Sequence, residues 1–443
     1  VSEALDIDFS RHLRRLEFLN LFRESGRVKK VLGPIVEGTL PGAVVGGVCR
    51  ILQAQREPIE AEVVGFRDRT ALLMPLREPD GIGMGARIEQ GEPTATVTMG
   101  PWMLGRLLNG HGRPVGGDPN EVLTHEEVRP LRAPALGPLE RASIHDRLEL
   151  GVRALDATIP VGLGQRLAIM AASGVGKSVL MGMIARQSRA DINVIALIGE
   201  RGREVTEFLE RDLGPEGMKR SVVVAVTSDE SPVLRVRGAY VATCIAEYFR
   251  DKGLNVMLMM DSVTRFGMAQ REIGLAAGEP PTTKGYTPSV FAHMPKLLER
   301  AGAKRGGGSI TGLYTVLVEG NDFDDPIADN VRSIVDGHIV LSRDLASKNH
   351  YPAIDVLGSV SRLTEAVASE RDRELNSALR AVLATYRSAE DLINIGGYRK
   401  GSNTEWDRAI ELYPKAIKFL RQSTRESAGL EGTRAALEEI FRG

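Results

Sequence analysis

Three short stretches hold residues whose types and spacing suit phosphate chemistry. The first is AASGVGKS, Ala171 to Ser178, which follows the apolar run RLAIMAA and precedes KSVLMGMIARQ. Strand, glycine-bearing loop and helix in that order form a phosphate-binding loop. Gly174 and Gly176 let the backbone wrap closely, so that amide N–H groups point at phosphate oxygens, and the following helix adds the positive end of its dipole. Lys177 would place a charge on the β- and γ-phosphates, and Ser178 a hydroxyl on Mg²⁺. The usual pattern G-x-x-x-x-G-K-[ST] starts with glycine where this chain has Ala171. Alanine is expected to work there if its φ is negative and one methyl fits.

The second stretch, VMLMMD, is an apolar strand running into Asp261. A carboxylate there can accept from a Mg²⁺-bound water or sit close to the metal. Many buried strands end in aspartate, so the signal gains weight only from the phosphate loop upstream. The third stretch is ALIGERGRE, with Glu200 just past the strand that follows the loop's helix. Strand ends of an open parallel sheet face the ligand crevice, so Glu200 can polarise a water attacking the γ-phosphate. A surface glutamate paired with Arg201 is the plain alternative. A subunit that only bound nucleotide would not need Glu200.

These residues need a sheet to hold them. From about Leu148 to Leu345 the runs RLAIMAA, INVIALIG, SVVVAVTS, NVMLMMD, SITGLYTVLVEG and GHIVLS alternate with helical stretches. Near-continuous apolar strands are buried on both faces, which predicts an α/β domain around a largely parallel sheet. Between Gly26 and about Val97, short β-branched runs cut by Gly and Pro predict a small closed barrel. The Gly/Pro-rich LLNGHGRPVGGDPNE (Leu107–Glu121) and LRAPALGPLER read as linkers. After Arg362 the periodicity is helical, with Leu375, Leu379, Val382, Leu383 and Tyr386 on one stripe and Pro414 expected to break the last long helix. SRHLRRLEFLNLF, near the start, reads as a short amphipathic helix that packs on the next domain or docks a partner.

Composition narrows the function classes. The 443 residues are 42% hydrophobic and 26% charged, with 57 Lys+Arg against 58 Asp+Glu, for a net charge of -1. That balance argues against a surface coated for nucleic acid, and 5% aromatics leaves the barrel few platforms for stacking bases. Two distant cysteines and seven scattered histidines predict neither a disulfide nor a metal cluster, and a reducing cytoplasm fits. No apolar run approaches the length of a membrane span, and no signal peptide is evident.

Longer motifs carry a resemblance. The loop, GERGREV, DSVTRFGMAQREIGLAAGEPP, SITGLYTVLVEGNDFDDPIADNVRSIVDGHIVLSRDLA and YPAIDVLGSVSR together resemble the type III secretion ATPases. That family includes the flagellar export ATPase and its injectisome relatives and is similar to the catalytic subunit of the rotary ATP synthase. The resemblance runs from about Gly26 onward. It implies an N-terminal segment (residues 1–25), a small β-barrel (26–97), a RecA-like α/β P-loop ATPase domain (98–365) and a C-terminal helical domain (366–443). It also implies nucleotide contacts from Ser173, Gly174, Val175, Gly176, Lys177, Ser178 and Val179, where Ala172 replaces a common glycine. Glu200 matches the catalytic glutamate, Arg201 its neighbour near the γ-phosphate, Asp261 the metal-side aspartate with Ser178, and Arg265 the arginine shortly after it. Tyr351 matches the aromatic that stacks on adenine and Phe419 a second aromatic near the base. Arg362 matches an arginine finger that reaches the neighbouring subunit's site.

By the same resemblance, the expected protein is a cytoplasmic Mg²⁺-dependent ATPase at the inner-membrane export apparatus. It would form a homohexamer, with a stator-like regulatory protein at the N-terminal segment, a central stalk protein, export-gate membrane proteins and substrate–chaperone complexes as partners, and no nucleic acid. AAGEPPTTKGYTPS and AGAKRGGGS are either channel-facing or plain solvated loops. Three other readings compete: a rotary ATP synthase catalytic subunit, which would need a second subunit type; an RNA-dependent ring ATPase, which would show RNA-stimulated turnover; and a ring subunit that binds nucleotide without turnover. The motifs are shared by the flagellar and injectisome branches.

Overall fold

A computed structural model describes residues 25–54, 56–117, 123–124, 127–318 and 325–442. The amphipathic segment read at residues 1–25 lies, but for Ser25, outside the described residues. The chain divides into two compact units, one ending at Ala95 and the other beginning at Thr96.

In the first unit, β1 (Ser25–Leu32), β2 (Ile35–Thr39), β3 (Val48–Gln53), β4 (Arg56–Arg67), β5 (Thr70–Pro75) and β6 (Arg87–Gln90) close into a barrel in the order β1-β2-β5-β4-β3-β6. Alternate residues point inward, so Val28, Val36, Cys49, Ile51, Ala61, Val63, Leu73 and Ile88 fill the interior. Closure leaves no free strand edge. Thr96–Met99 belongs to the second unit, where it pairs with Glu127–Pro130.

The second unit is built on a sheet of nine strands among the described residues. They are β7 (Leu107–Leu108), β8 (Arg166–Ala171), β9 (Ile192–Glu200), β10 (Ser221–Thr227), β11 (Asn255–Asp261), β12 (Gly302–Ala303), β13 (Ser309–Leu317), β14 (Gly337–Leu341) and β15 (Ile354–Ser361). The order is β15-β14-β8-β13-β11-β9-β10-β7, with β12 on the side of β13. Every neighbouring pair from β14 to β7 is parallel, while β15 runs antiparallel to β14. Helices on this frame include α1 (Lys177–Gln187), α2 (Gly202–Glu207), α3 (Pro232–Asp251), α4 (Val263–Ala277), α5 (Pro288–Leu298) and α6 (Pro326–Ile334). Every residue of β9 is buried, as a strand covered on both faces should be.

Among the differences from the sequence reading, two concern segments read as linker or as a broken helix. Leu107–Leu108, read as linker, is the edge strand beside Val223 and Val224. Two apolar residues are too short a run to announce a strand. The last long helix passes through Pro414 unbroken, as α8 (Thr404–Leu420), after α7 (Glu370–Asn394) and before α9 (Leu430–Phe441). The proline forfeits one helical hydrogen bond. Burial of Ala409, Leu412, Ala416, Phe419 and Leu420 along one face, and the Asn403 side chain capping Glu405 and Trp406, hold the helix on both sides of it.

These C-terminal helices share one core with the phosphate-loop helix. Leu375, Leu379, Leu412, Phe419 and Leu437 fall in the same buried cluster as Leu180, Met181 and Ile184. The helical segment at the C-terminus thus belongs to the same compact unit as the sheet.

Candidate active site

Parallel strands put their carboxyl ends on one edge, and Ala171, Glu200, Asp261 and Leu317 all lie on it. Ala171 pairs with both Leu317 and Leu341, and its carbonyl accepts from Val318 N–H at 3.0 Å. It is ordinary strand backbone, so the methyl group is accommodated as expected. The turn is made further on, at Gly174 (φ 80°) and at Gly176 (φ 92°), the residue that caps α1. A side chain at either would be strained. Ser173 and Gly174 are exposed, whereas Val175 is buried and anchors the loop in the core.

Lys177, Glu200 and Asp261 converge behind this loop. Lys177 Nζ donates to Asp261 Oδ1 and lies 3.7 Å from Glu200 Oε1. Burial works against the ammonium charge, but Asp261 and Glu200 outweigh it and hold the Lys177 pKa above the usual lysine range. Thr315, on the neighbouring strand β13, donates its hydroxyl to the same Asp261 Oδ1 at 2.7 Å and is itself fully buried. Ser262 caps α4 by accepting from Arg265 N–H at 3.2 Å.

Glu200 is aimed by a local irregularity. Gly199 (φ 72°) forms a bulge between β9 and β10, after which Glu200 pairs with Thr227. Arg265 packs on the open face of Gly199, where an added Cβ would stand 3.0 Å from Arg265 Cβ. Burial, followed by the nearby Asp261 charge, pushes the Glu200 carboxyl up to about 7 against the pull of Lys177. A hydrogen bond with Glu200 lowers the Glu204 carboxyl in turn. Glu200 Oε1 is buried without a hydrogen-bond partner, as is Arg265 Nε. A carboxylate oxygen in that state can take a water or a hydrated cation.

Asp261 and Ser178 are hard oxygen donors beside the loop. Among the described residues no group of three or more His, Cys, Asp or Glu gathers to hold a metal. Mg²⁺ usually keeps several waters and takes one or two protein oxygens plus substrate phosphates, so this donor set fits it.

The remaining expected residues are spread over the edge and beyond it. Arg201 is exposed and pairs loosely with Glu204 at 3.8 Å. Tyr351 lies against the loop: a Cβ built on Gly176 would be 3.7 Å from Tyr351 Cε1, and the side chain is 44% exposed. Val179 is partly buried on the first turn of α1. Phe419 is 5% exposed, within the core, with the Arg153 guanidinium 5.8 Å above its ring. This is the ring that the resemblance expects near a base. From that part of the chain, Gln422 reaches Tyr351 instead, its N–H donating to the Tyr351 carbonyl at 3.0 Å.

Arg362 is not brought to the loop of its own chain. β15 starts near Tyr351 and runs antiparallel to β14, so Ser361 ends beside Gly337 at the opposite edge of the sheet. There Arg362 N–H donates to Asp336 O, and its exposed guanidinium donates to Arg332 O at 3.2 Å.

Thr315 and Gln422 escaped the sequence reading. Thr315 had one faint signal, a hydroxyl near the end of a strand otherwise apolar beyond Gly312. Lys304 of the glycine-rich loop pairs with Asp251 at 2.8 Å.

Comparison with known proteins bears on the family and the fold. Residues 151–361 match the family model of the ATP synthase alpha/beta family nucleotide-binding domain, and residues 368–439 that of the T3SS EscN ATPase C-terminal domain. The flagellum-specific ATP synthase of Bacillus subtilis is 50% identical over 430 residues, covering 96% of this chain and 97% of the relative. The type 3 secretion system ATPase of Xanthomonas euvesicatoria is 47% identical over 429 residues, 96% of each chain. The assembled ATPase EscN of enteropathogenic E. coli, solved in complex with its central stalk EscO, superposes with a TM-score of 0.86 at 42% identity, covering 94% of this chain and 99% of that one.

Proposed function

The chain belongs to the family of type III secretion and flagellar export ATPases, and on that premise we propose that it hydrolyses ATP, with Mg²⁺, to energise protein export by a type III apparatus. The observation that carries the reading is the convergence of Lys177, Glu200 and Asp261 behind the loop at the carboxyl edge of the sheet.

In this reading the amides of Ser173 to Ser178 cradle the phosphates, Lys177 leaves Asp261 for the β- and γ-oxygens, and Val179 packs at the first turn behind them. Ser178 and Asp261 hold Mg²⁺, which when bound supplies charge neutralisation on the phosphate oxygens. Glu200 orients a water and takes its proton as the water oxygen bonds to the γ-phosphorus. The bond from that phosphorus to the bridging oxygen breaks, leaving ADP and phosphate. Arg265, packed on Gly199, keeps Glu200 aimed. Arg201 swings in from solvent towards the γ-phosphate, and Tyr351 stacks on the adenine.

Arg362 completes the site of the next copy of the chain, which calls for a ring, and we take it as a homohexamer. The stalk seen with the relative EscN supports a central stalk partner here. By analogy with the export ATPases it resembles, the ring would sit at the cytoplasmic face of the export gate; no helix among the described residues is long and apolar enough to cross a membrane. Turnover there would release chaperones and prepare substrates for export.

The test is phosphate release by the purified chain. Lys177→Ala and Glu200→Gln should each lose at least ~100-fold in turnover, on the scale of removing a principal electrostatic or proton-transfer group. Near wild-type turnover in either would overturn the assignment. RNA-stimulated turnover would redirect it to a nucleic-acid motor.

A further inference from the structure

Gln422 is 5% exposed and lies just past the end of α8. Each of its polar groups except the backbone carbonyl has a backbone partner. Its side-chain oxygen accepts from Arg153 N–H at 2.7 Å. Its side-chain nitrogen donates to Gly151 O at 2.9 Å and to Glu426 O at 2.7 Å. Its own N–H holds the Tyr351 carbonyl at 3.0 Å. One residue thus ties together three segments: the turn before the core sheet, the stretch after α8, and the residue whose ring lies on Gly176.

The surroundings make this tie rigid. Asp156 accepts from Leu150 N–H and Gly151 N–H at 2.9 and 2.8 Å, so the Gly151 carbonyl is fixed from behind. Arg153 donates to Phe419 O at 3.0 Å, stacks over the Phe419 ring and pairs with Glu426. At the far end of α1, Arg186 donates to Thr424 O at 2.7 Å and Gln187 to Glu426 O at 2.9 Å. The helix that begins at the phosphate loop and the segment that carries Gln422 are therefore clamped together. Tyr351 itself is nearly half exposed, so its ring has little packing of its own to hold it in place.

We propose that Gln422 is a positioning residue for nucleotide binding: it holds the Tyr351 backbone so that the ring stays beside Gly176, at the height where a base would stack. This rests on the reading of Tyr351 as the base-stacking side chain. A ring fixed before binding loses less freedom on binding, so the gain appears in affinity rather than in the chemical step.

The experiment is a double-mutant cycle on the full chain, reading KM and kcat for ATP and the dissociation constant of a fluorescent ATP analogue. Gln422→Glu keeps the acceptor for Arg153 N–H and the size of the side chain, but sets an oxygen against the Gly151 and Glu426 carbonyls. It should raise KM and the dissociation constant ~5–10-fold with kcat within ~2-fold of wild type. Added to Tyr351→Ala, it should shift the dissociation constant by less than ~2-fold, since coupled residues are non-additive. Gln422→Ala is the second variant should the glutamate fail to fold. An equal shift in the presence and absence of the Tyr351 ring would overturn the positioning role and leave the stacking role standing. Wild-type affinity in Tyr351→Ala would overturn the stacking role, whatever Gln422 does.

Discussion

Arg362 and Lys177 stand at opposite ends of the same sheet. Lys177 follows the carboxyl end of β8, whereas Arg362 is bonded to Asp336, whose carboxylate holds Arg166 at the amino end of β8. Six strand residues separate the two levels, about 20 Å at 3.3 Å per residue. No rotamer of Arg362 spans that length, so a guanidinium serving a phosphate loop from this position serves another copy's.

Shared sites of this kind can be complemented. Lys177→Ala and Arg362→Ala should each be inactive alone, yet a mixture of the two should recover turnover. The lysine variant lends its Arg362 to an intact loop on the arginine variant. Turnover per chain in the wild type should also rise with protein concentration as rings form. A mixture as inactive as its components, with concentration-independent wild-type turnover, would reject the shared site.

Thr315 shares Asp261 Oδ1 with Lys177 and reaches it from a strand paired on both sides, with β8 and with β11. Thr315→Val keeps the shape and deletes the donor, leaving a buried carboxylate one hydrogen bond short, at a cost of about 1–3 kcal/mol. The Mg²⁺ concentration for half-maximal turnover should rise several-fold, and Thr315→Ser should restore it. Identical metal titrations for the valine variant and wild type would count against a role for this hydroxyl.

The raised Glu200 carboxyl sets a pH dependence of stability. Glu200 moves from an ordinary 4.5 to about 7 on folding. Between those values the unfolded chain has already released the proton that the folded chain keeps, so stability falls as pH rises through this window, and the full cost is present above it. Glu200→Gln cannot ionise and escapes that cost. In nucleotide-free protein the variant should melt above wild type at pH 8 by more than it does at pH 5. A gap that does not change between the two would show that burial is not straining this carboxylate.

Gly182 lies in the middle of α1, where a Cβ would fall 2.5 Å from the Asp212 carbonyl oxygen. Helix propensity alone favours alanine there. The clash is with backbone, so Gly182→Ala should destabilise by about 1–3 kcal/mol, the usual cost of overpacking. Thermal melting reads this directly, and an unchanged or raised midpoint would mean that the loop's helix can shift away from Asp212.

The sequence by itself determined the local parts of the site. The phosphate loop, Asp261 and Glu200 were legible because each sits where an apolar strand ends, and strand endings are written in neighbouring residues. The barrel and the parallel sheet were legible for the same reason, through period and turn residues. Arg362 and Tyr351 came only from resemblance, since nothing around them marks their use. Tertiary structure alone decided the rest. It put Arg362 at the far edge, because β15 runs antiparallel to its neighbour. It carried α8 through Pro414, because a buried face outweighed one lost hydrogen bond, and it buried the Phe419 ring beneath Arg153. It also brought Thr315 to Asp261 and Gln422 to Tyr351, contacts between residues tens of positions apart in the chain. Such pairings depend on which strands become neighbours and which helix packs beside them, and that is fixed by burial of the whole core rather than by any stretch read alone.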